Sequence, residues 1–158
     1  MRLTIRTNLA VRVLMHCAVN SGRLVRSADI AESCNASGNH LAQVIHRLQL
    51  CGYVDTQRGR QGGLTLSRPA SEISMGELFR KFEASVPFTE CFDPSSNSCP
   101  LAHACRMRRF LARATEAFYR ELDEVTLEDL VDGNSELHDL LTLAPREPML
   151  EGCAAQFN

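Results

Sequence analysis

No apolar run in this chain approaches the roughly 20 residues that a membrane-spanning helix needs, so no membrane partner is expected. The opening stretch, MRLTIRTNLAVRVLMHCAVN, is broken by Arg6 and Arg12. It lacks the apolar region and cleavage site of a secretory signal, and a cytoplasmic protein is expected. No phosphate-cradling glycine loop, no nucleophile motif and no internal repeat is present. Near the loop cysteines only His103 and Glu90 offer a general base, so the sequence predicts no enzyme. No acidic residue occurs in the first 28 positions.

What is present fits one globular domain, or one with an appendage. The chain has 158 residues and is 44% hydrophobic, enough for a real core. Its net charge of -2 conceals a division. Residues 1–71 carry nine arginines against Asp29, Glu32 and Asp55, whereas residues 72–158 carry eight bases against sixteen acids. A basic first half points to a polyanionic partner; an uneven solvated surface is the plainer alternative.

Hydrophobic spacing then divides the chain. In NLAVRVLMHCAV (residues 8–19), Leu9, Ala10, Val13, Leu14 and Cys17 share one helical stripe, with Thr7 as the expected N-cap. SADIAESC (residues 27–34) opens on Ser27, a capping type, and turns Ile30 and Ala31 inward. After a short turn, Ser37 precedes GNHLAQVIHRLQLC, in which Leu41, Val44, Ile45 and Leu48 make an amphipathic face. Gly52 ends that helix. Two short helices joined by a tight turn form a helix-turn-helix pattern.

Beyond Gly52 the period changes to that of strands. Residues 53–57 and 64–67 flank RGRQGG, a glycine-bearing turn with a basic tip. A helix-turn-helix followed by a basic hairpin is a winged helix. The expected DNA-facing residues are Ser37, Asn39, His40, Gln43, His46 and Arg47 on the second helix, with Arg58 and Arg60 on the wing. These side chains suit base edges and phosphates, and a helix fits the major groove. The partner implied is double-stranded DNA with a palindromic operator.

SMGELFRKFEA (residues 74–84) predicts a helix capped by Ser74, with Met75, Leu78, Phe79 and Phe82 apolar. The longest helical pattern covers residues 105–122, striped by Met107, Phe110, Leu111, Ala114, Phe118 and Leu122. Such a stripe must be covered. Homodimerisation is the economical answer, and packing within one chain is the alternative. TLEDLV and NSELHDLLTL predict two further short helices. The fold expected is mainly α: a winged helix-turn-helix DNA-binding domain with a long C-terminal dimerisation helix. Its parts are a DNA-binding region (1–84), a cysteine loop (85–105), a dimerisation helix with C-terminal helices (106–143), and a disordered tail (144–158).

Seven cysteines, an odd number, argue against a disulfide framework in a reducing compartment. Cys17, Cys34 and Cys51 lie in or beside apolar helical patterns and read as ordinary core or surface residues; Cys153 stands alone in the tail. The remaining three fall in CFDPSSNSCPLAHAC, as Cys91, Cys99 and Cys105, with gaps of seven and five residues. Neither gap matches the close pairs of a zinc knuckle or a ferredoxin run. A metal site, including a zinc site completed by His103, a redox-active disulfide pair and three free thiols all remain open on spacing alone.

The chain resembles the iron–sulfur winged-helix regulators represented by NsrR, IscR and RirA. The features that carry the resemblance are MRLT, TNLAVRVLM, SGNHLAQVIHRLQLCGYV, the wing TQRGRQGGLTLSRPASEIS, the loop ECFDPSSNSCPLAHAC, and TLEDLV. They span residues 1–143. The resemblance implies an iron–sulfur cluster held by Cys91, Cys99 and Cys105 at a dimer interface, 4Fe–4S in preference to 2Fe–2S. The recognition helix and loop look most like the nitric-oxide-sensing branch; the spacing also occurs in iron-responsive regulators. Some members of the nitric-oxide branch supply a carboxylate at position 8 of the partner subunit as fourth ligand. This chain has Asn8 there. Asn8, His103 and an exogenous group are the candidate fourth ligands. A weakly held fourth position would leave iron open to a gas.

Overall fold

A computed structural model of the chain describes residues 3–59, 62–83, 86–93 and 95–144. Helix α1 (Ile5–Val19) runs through the middle of the molecule. Its Leu9, Ala10, Val13, Leu14 and Cys17 are buried, as their spacing predicts. The helix starts one turn earlier than expected. Thr4, not Thr7, is the cap, its Oγ1 accepting from the Thr7 amide at 3.2 Å. Thr7 is itself buried.

Helix α2 (Ser27–Ser33) follows Arg26, whose amide donates to Asp29 Oδ2 at 3.3 Å; Ser27 lies inside the helix rather than capping it. Asn35 then takes a left-handed φ of 47°, which asparagine tolerates better than most residues. That single residue makes the tight turn into α3 (Gly38–Leu50), whose cap is the expected Ser37. Leu41, Val44 and Leu48 of α3 are buried, each contributing on the order of 2 kcal/mol. The helix stops at Gly52, φ 72°. Gly52 N donates to Gln49 O at 3.0 Å and Tyr53 N to Leu48 O at 2.9 Å, the two bonds of a Schellman ending.

The wing is an antiparallel pair, β1 (Val54–Gln57) and β2 (Gly63–Leu66), in register from Val54 opposite Leu66 to Gln57 opposite Gly63. Val25, between α1 and α2, adds a third partner: its amide donates to Leu64 O at 3.0 Å and its carbonyl accepts from Leu64 N at 2.8 Å. This contact explains the third wing glycine, Gly63. A Cβ on Gly63 would lie 2.7 Å from the Val25 carbonyl oxygen.

A short 3-10 turn (Ala70–Glu72) leads to α4 (Met75–Glu83), with Met75, Leu78 and Phe82 buried. Tyr53 at the base of the wing is fully buried beneath Arg68 and Lys81, whose cationic groups lie 5.0 and 5.1 Å from its ring centre. Glu77 of α4 receives both cations, at 3.2 and 2.6 Å. The wing is thereby fixed to α4.

Helix α5 (Met107–Asp123) packs along α4, and none of its residues is fully buried. Its inner side brings Phe118 to 6.4 Å from Phe79. Met107 and Phe110, at its start, are 60% and 53% exposed, so the expected stripe is covered only over its second half. Helices α6 (Leu127–Val131) and α7 (Ser135–Leu141) return to α1. Asn20 and Arg23 hold that return: Asn20 Nδ2 donates to Leu141 O at 2.8 Å, and Arg23 Nη1 to Leu143 O at 2.9 Å. The expected disordered tail, with Cys153, lies outside the described residues apart from Ala144. Among the described residues no helix is long and apolar enough to cross a membrane.

Candidate DNA-binding surface and cysteine loop

Helix α3 has one side in the core and the other in solvent. Asn39, His40, Gln43 and His46 are all exposed on it. Ser37 is exposed too, with its hydroxyl oxygen accepting from the His40 amide at 3.4 Å. The backbone N–H groups of this first turn and the polar side chains beyond it form a donor-rich edge suited to phosphates and base edges. Arg58 is exposed at the wing, whereas Arg60 lies outside the described residues.

Arg47 behaves differently from its neighbours. It is half-buried, donates from Nη2 to the backbone carbonyl of Lys81 on α4, and lies over the Phe82 ring. Sequence periodicity assigns Arg47 to the polar side of α3 but carries no information about this partner. Arg12 is a second arginine whose role was not legible. From α1 its Nη1 donates to the Cys34 carbonyl at 3.3 Å, at the end of α2.

Asn8 is exposed and shares the lining of a surface cavity of about 570 Å³ with Arg12, Asn35, Ser37 and His40. Position 8 therefore adjoins both the helix-turn-helix turn and the start of α3.

The loop that joins α4 to α5 is built of local turns. Glu90–Phe92 makes a 3-10 turn containing Cys91, whose Sγ lies 3.0 Å from Thr89 Oγ1. Asp93 accepts from the Ser95 amide at 2.9 Å and from the Ser95 and Ser96 hydroxyls at 2.6 and 2.7 Å. Those hydroxyls hold the Asp93 carboxyl below its ordinary range. Asn97 Oδ1 accepts from Cys99 N at 3.1 Å, and Ser98 Oγ donates to Glu90 Oε2 at 3.0 Å. The polar Ser-Ser-Asn-Ser run thus supplies side-chain acceptors and donors that close Asx-type turns.

Among the described residues six cysteines are free thiols, and Cys51, at the end of α3, is half-buried. Cys17 and Cys34 are buried, and burial pushes the Cys17 thiol up to about 12. Cys91, Cys99 and Cys105 are free thiols, half-exposed or exposed, on one loop. As donors, three accessible thiols on one loop fit an iron–sulfur group. Among the described residues no three His, Cys, Asp or Glu side chains are gathered as metal ligands. Metal sites are commonly unformed until the metal arrives.

Comparison with known proteins bears on all of these features. The model of the Rrf2 family, described as iron-dependent transcriptional regulators, matches residues 3–133. Protein aau3 of Rhizobium meliloti (strain 1021) is 40% identical over 143 residues, covering 90% of this chain and 93% of its own. The HTH-type transcriptional regulator NsrR of Bacillus subtilis (strain 168) is 39% identical over 144 residues, covering 90% and 99%. The structure of CymR, the global cysteine regulator of B. subtilis, matches with a TM-score of 0.64 and 26% identity over 83% of this chain and 96% of that one. The NsrR relative is by name a transcriptional regulator, and the mainly helical fold with its two-stranded wing matches that of CymR. The chain belongs to the Rrf2 family of transcriptional regulators.

Proposed function

We propose that this chain is a cytoplasmic, homodimeric transcriptional repressor that holds an iron–sulfur cluster on Cys91, Cys99 and Cys105 and responds to nitric oxide. The observation that carries this reading is the segregation of the cysteines. Three stand free and accessible on one loop, while Cys17 and Cys34 are buried in the core and Cys51 is half-buried at the end of α3. The 39% identity to NsrR over 90% of the chain supports the choice of signal. When bound, the cluster, 4Fe–4S in this reading, would supply iron reactive toward nitric oxide.

The chain's own residues do the rest. The three thiolates hold the group, with Asn8 of the partner subunit, His103 or an exogenous group at a fourth position. Asn39, His40, Gln43 and His46 read base edges, with Ser37 at the start of the helix. Arg58 and Arg60 lie along phosphates or in the minor groove. Met107 and Phe110, exposed in the single chain, are covered by the second subunit. A two-fold dimer then meets a palindromic operator.

A second reading rests on the loop spacing. Gaps of seven and five residues between Cys91, Cys99 and Cys105 also resemble those of iron-responsive regulators, which signal by losing the cluster. The test common to both is Cys99→Ala. Its purified protein is expected to carry little iron and sulfide. It is also expected to lose binding to a duplex that the wild-type protein selects from random-sequence DNA. Wild-type loading and binding by Cys99→Ala would sink both readings.

A further inference from the structure

The last turn of α4 ties down three other elements with four consecutive residues. Arg80 pairs with Asp123 at 2.5 Å and with Glu116 at 2.9 Å, both on α5. The Lys81 carbonyl accepts from Arg47 on α3. The Phe82 ring lies under the same guanidinium, 5.0 Å from Cζ to the ring centre. Glu83 is buried and accepts from the Thr4 amide at 3.0 Å, the Thr4 hydroxyl at 2.9 Å and the Thr7 hydroxyl, all at the start of α1. The chain then leaves α4 and reaches Cys91 eight residues later.

The cysteine loop leaves from the end of α4 and returns as α5, whose second half Arg80 holds against α4 through Glu116 and Asp123. Residues 80–83 are the turn from which the loop departs. From that turn the route to the DNA-reading helix is Arg47. Its guanidinium is committed to a backbone carbonyl and an aromatic face, two interactions that fix a long side chain. The neighbouring Asn39, His40, Gln43 and His46 have no such commitment to α4 and stand in solvent.

We infer that Arg47 is a positioning residue and not a DNA contact: it couples the turn at the base of the cysteine loop to the pose of the recognition helix. This rests on the reading of the loop as a sensing element. A phosphate contact and a coupling residue differ in what they change. Removing a phosphate contact weakens binding in every state and lowers the salt dependence of affinity. Removing a coupling residue reduces the difference between states and leaves the salt dependence alone.

The experiment compares wild type, Arg47→Met and Arg47→Lys, each cluster-loaded and cluster-free, on the duplex selected by the wild-type protein, across a salt series. Iron, sulfide and the cluster absorbance are recorded for each. Methionine keeps the apolar stem over Phe82 without a donor. Lysine keeps the charge, and a phosphate contact would largely tolerate it. The expected result is wild-type iron and sulfide content in both variants. The ratio of loaded to cluster-free affinity falls by about tenfold in both, with the slope of log affinity against log salt unchanged. A slope shallower by about one in Arg47→Met, with Arg47→Lys restored to wild type, overturns the inference and makes Arg47 a phosphate contact. An unchanged ratio in both variants overturns it equally. If the wild-type protein itself binds alike with and without cluster, the reading of the loop has failed and the inference falls with it. The wild-type arm separates that outcome from a failure of Arg47 alone.

Discussion

His16 is fully buried on α1, and burial pushes its imidazole below its ordinary range, opposed by a backbone hydrogen bond and by Asp29. Asn20 Nδ2 lies 3.3 Å from its Nδ1, which suits a neutral ring that accepts. A group whose folded pKa is lowered stabilises the fold above its unfolded pKa, and that stability is lost as pH falls. The chain should therefore lose stability as pH falls from about 7 to about 5, through the ordinary histidine range. In His16→Gln that slope should be shallower, measured by urea unfolding at each pH. An identical slope would show that His16 is not buried in neutral form. Residue identity was legible here only in part. Ser37 as a cap and Gly52 as a stop follow from backbone chemistry written in the sequence. The partners of Arg12, Arg47 and Glu83 do not, because they are contacts across long stretches of chain that no local period encodes.

Among elements, the α4–α5 pair is closely constrained. Gly76 sits where α4 meets α5, and a Cβ there would lie 2.5 Å from the Tyr119 carbonyl oxygen and 2.7 Å from the Asp123 amide. Both are backbone atoms that cannot rotate away. Gly76→Ala should cost about 1–3 kcal/mol, as overpacking does, and lower the melting temperature seen by circular dichroism. Unchanged melting would mean that the two helices are not in close contact. The helices themselves were legible from spacing: the apolar positions of α1, α3 and α4 are those found in the core. Their ends were less so. The first helix begins at Ile5 because Thr4 is available as a cap one turn before Thr7. Val25 joins the wing through two hydrogen bonds by a single residue, too short to leave a strand pattern.

At the scale of the whole molecule, the unevenness of charge and of apolar cover organises the proposed assembly. The polar side of α3 and the wing lie in the basic half of the chain, and the exposed start of α5 lies in the acidic half. Phe110→Asp should shift the protein from dimer to monomer in sedimentation, since it puts a charge where the second subunit is expected. A dimer of undiminished stability in Phe110→Asp would move the interface elsewhere. The winged-helix architecture was legible because helix pair, glycine turn and basic tip follow one another locally. The cysteine loop was legible as a set of donors, not as a geometry, since its turns rest on side-chain bonds that no period encodes.

The central claim is that a cluster on Cys91, Cys99 and Cys105 controls DNA binding in response to nitric oxide. Its most direct test is an anaerobic titration of the cluster-loaded protein with nitric oxide. Absorbance, iron and sulfide would be followed in parallel with binding to the selected duplex. The account predicts that the cluster absorbance bleaches within a few equivalents and that DNA binding is lost over the same range. A cluster that withstands nitric oxide while binding persists, or a protein that takes up no cluster under careful anaerobic preparation, would contradict it.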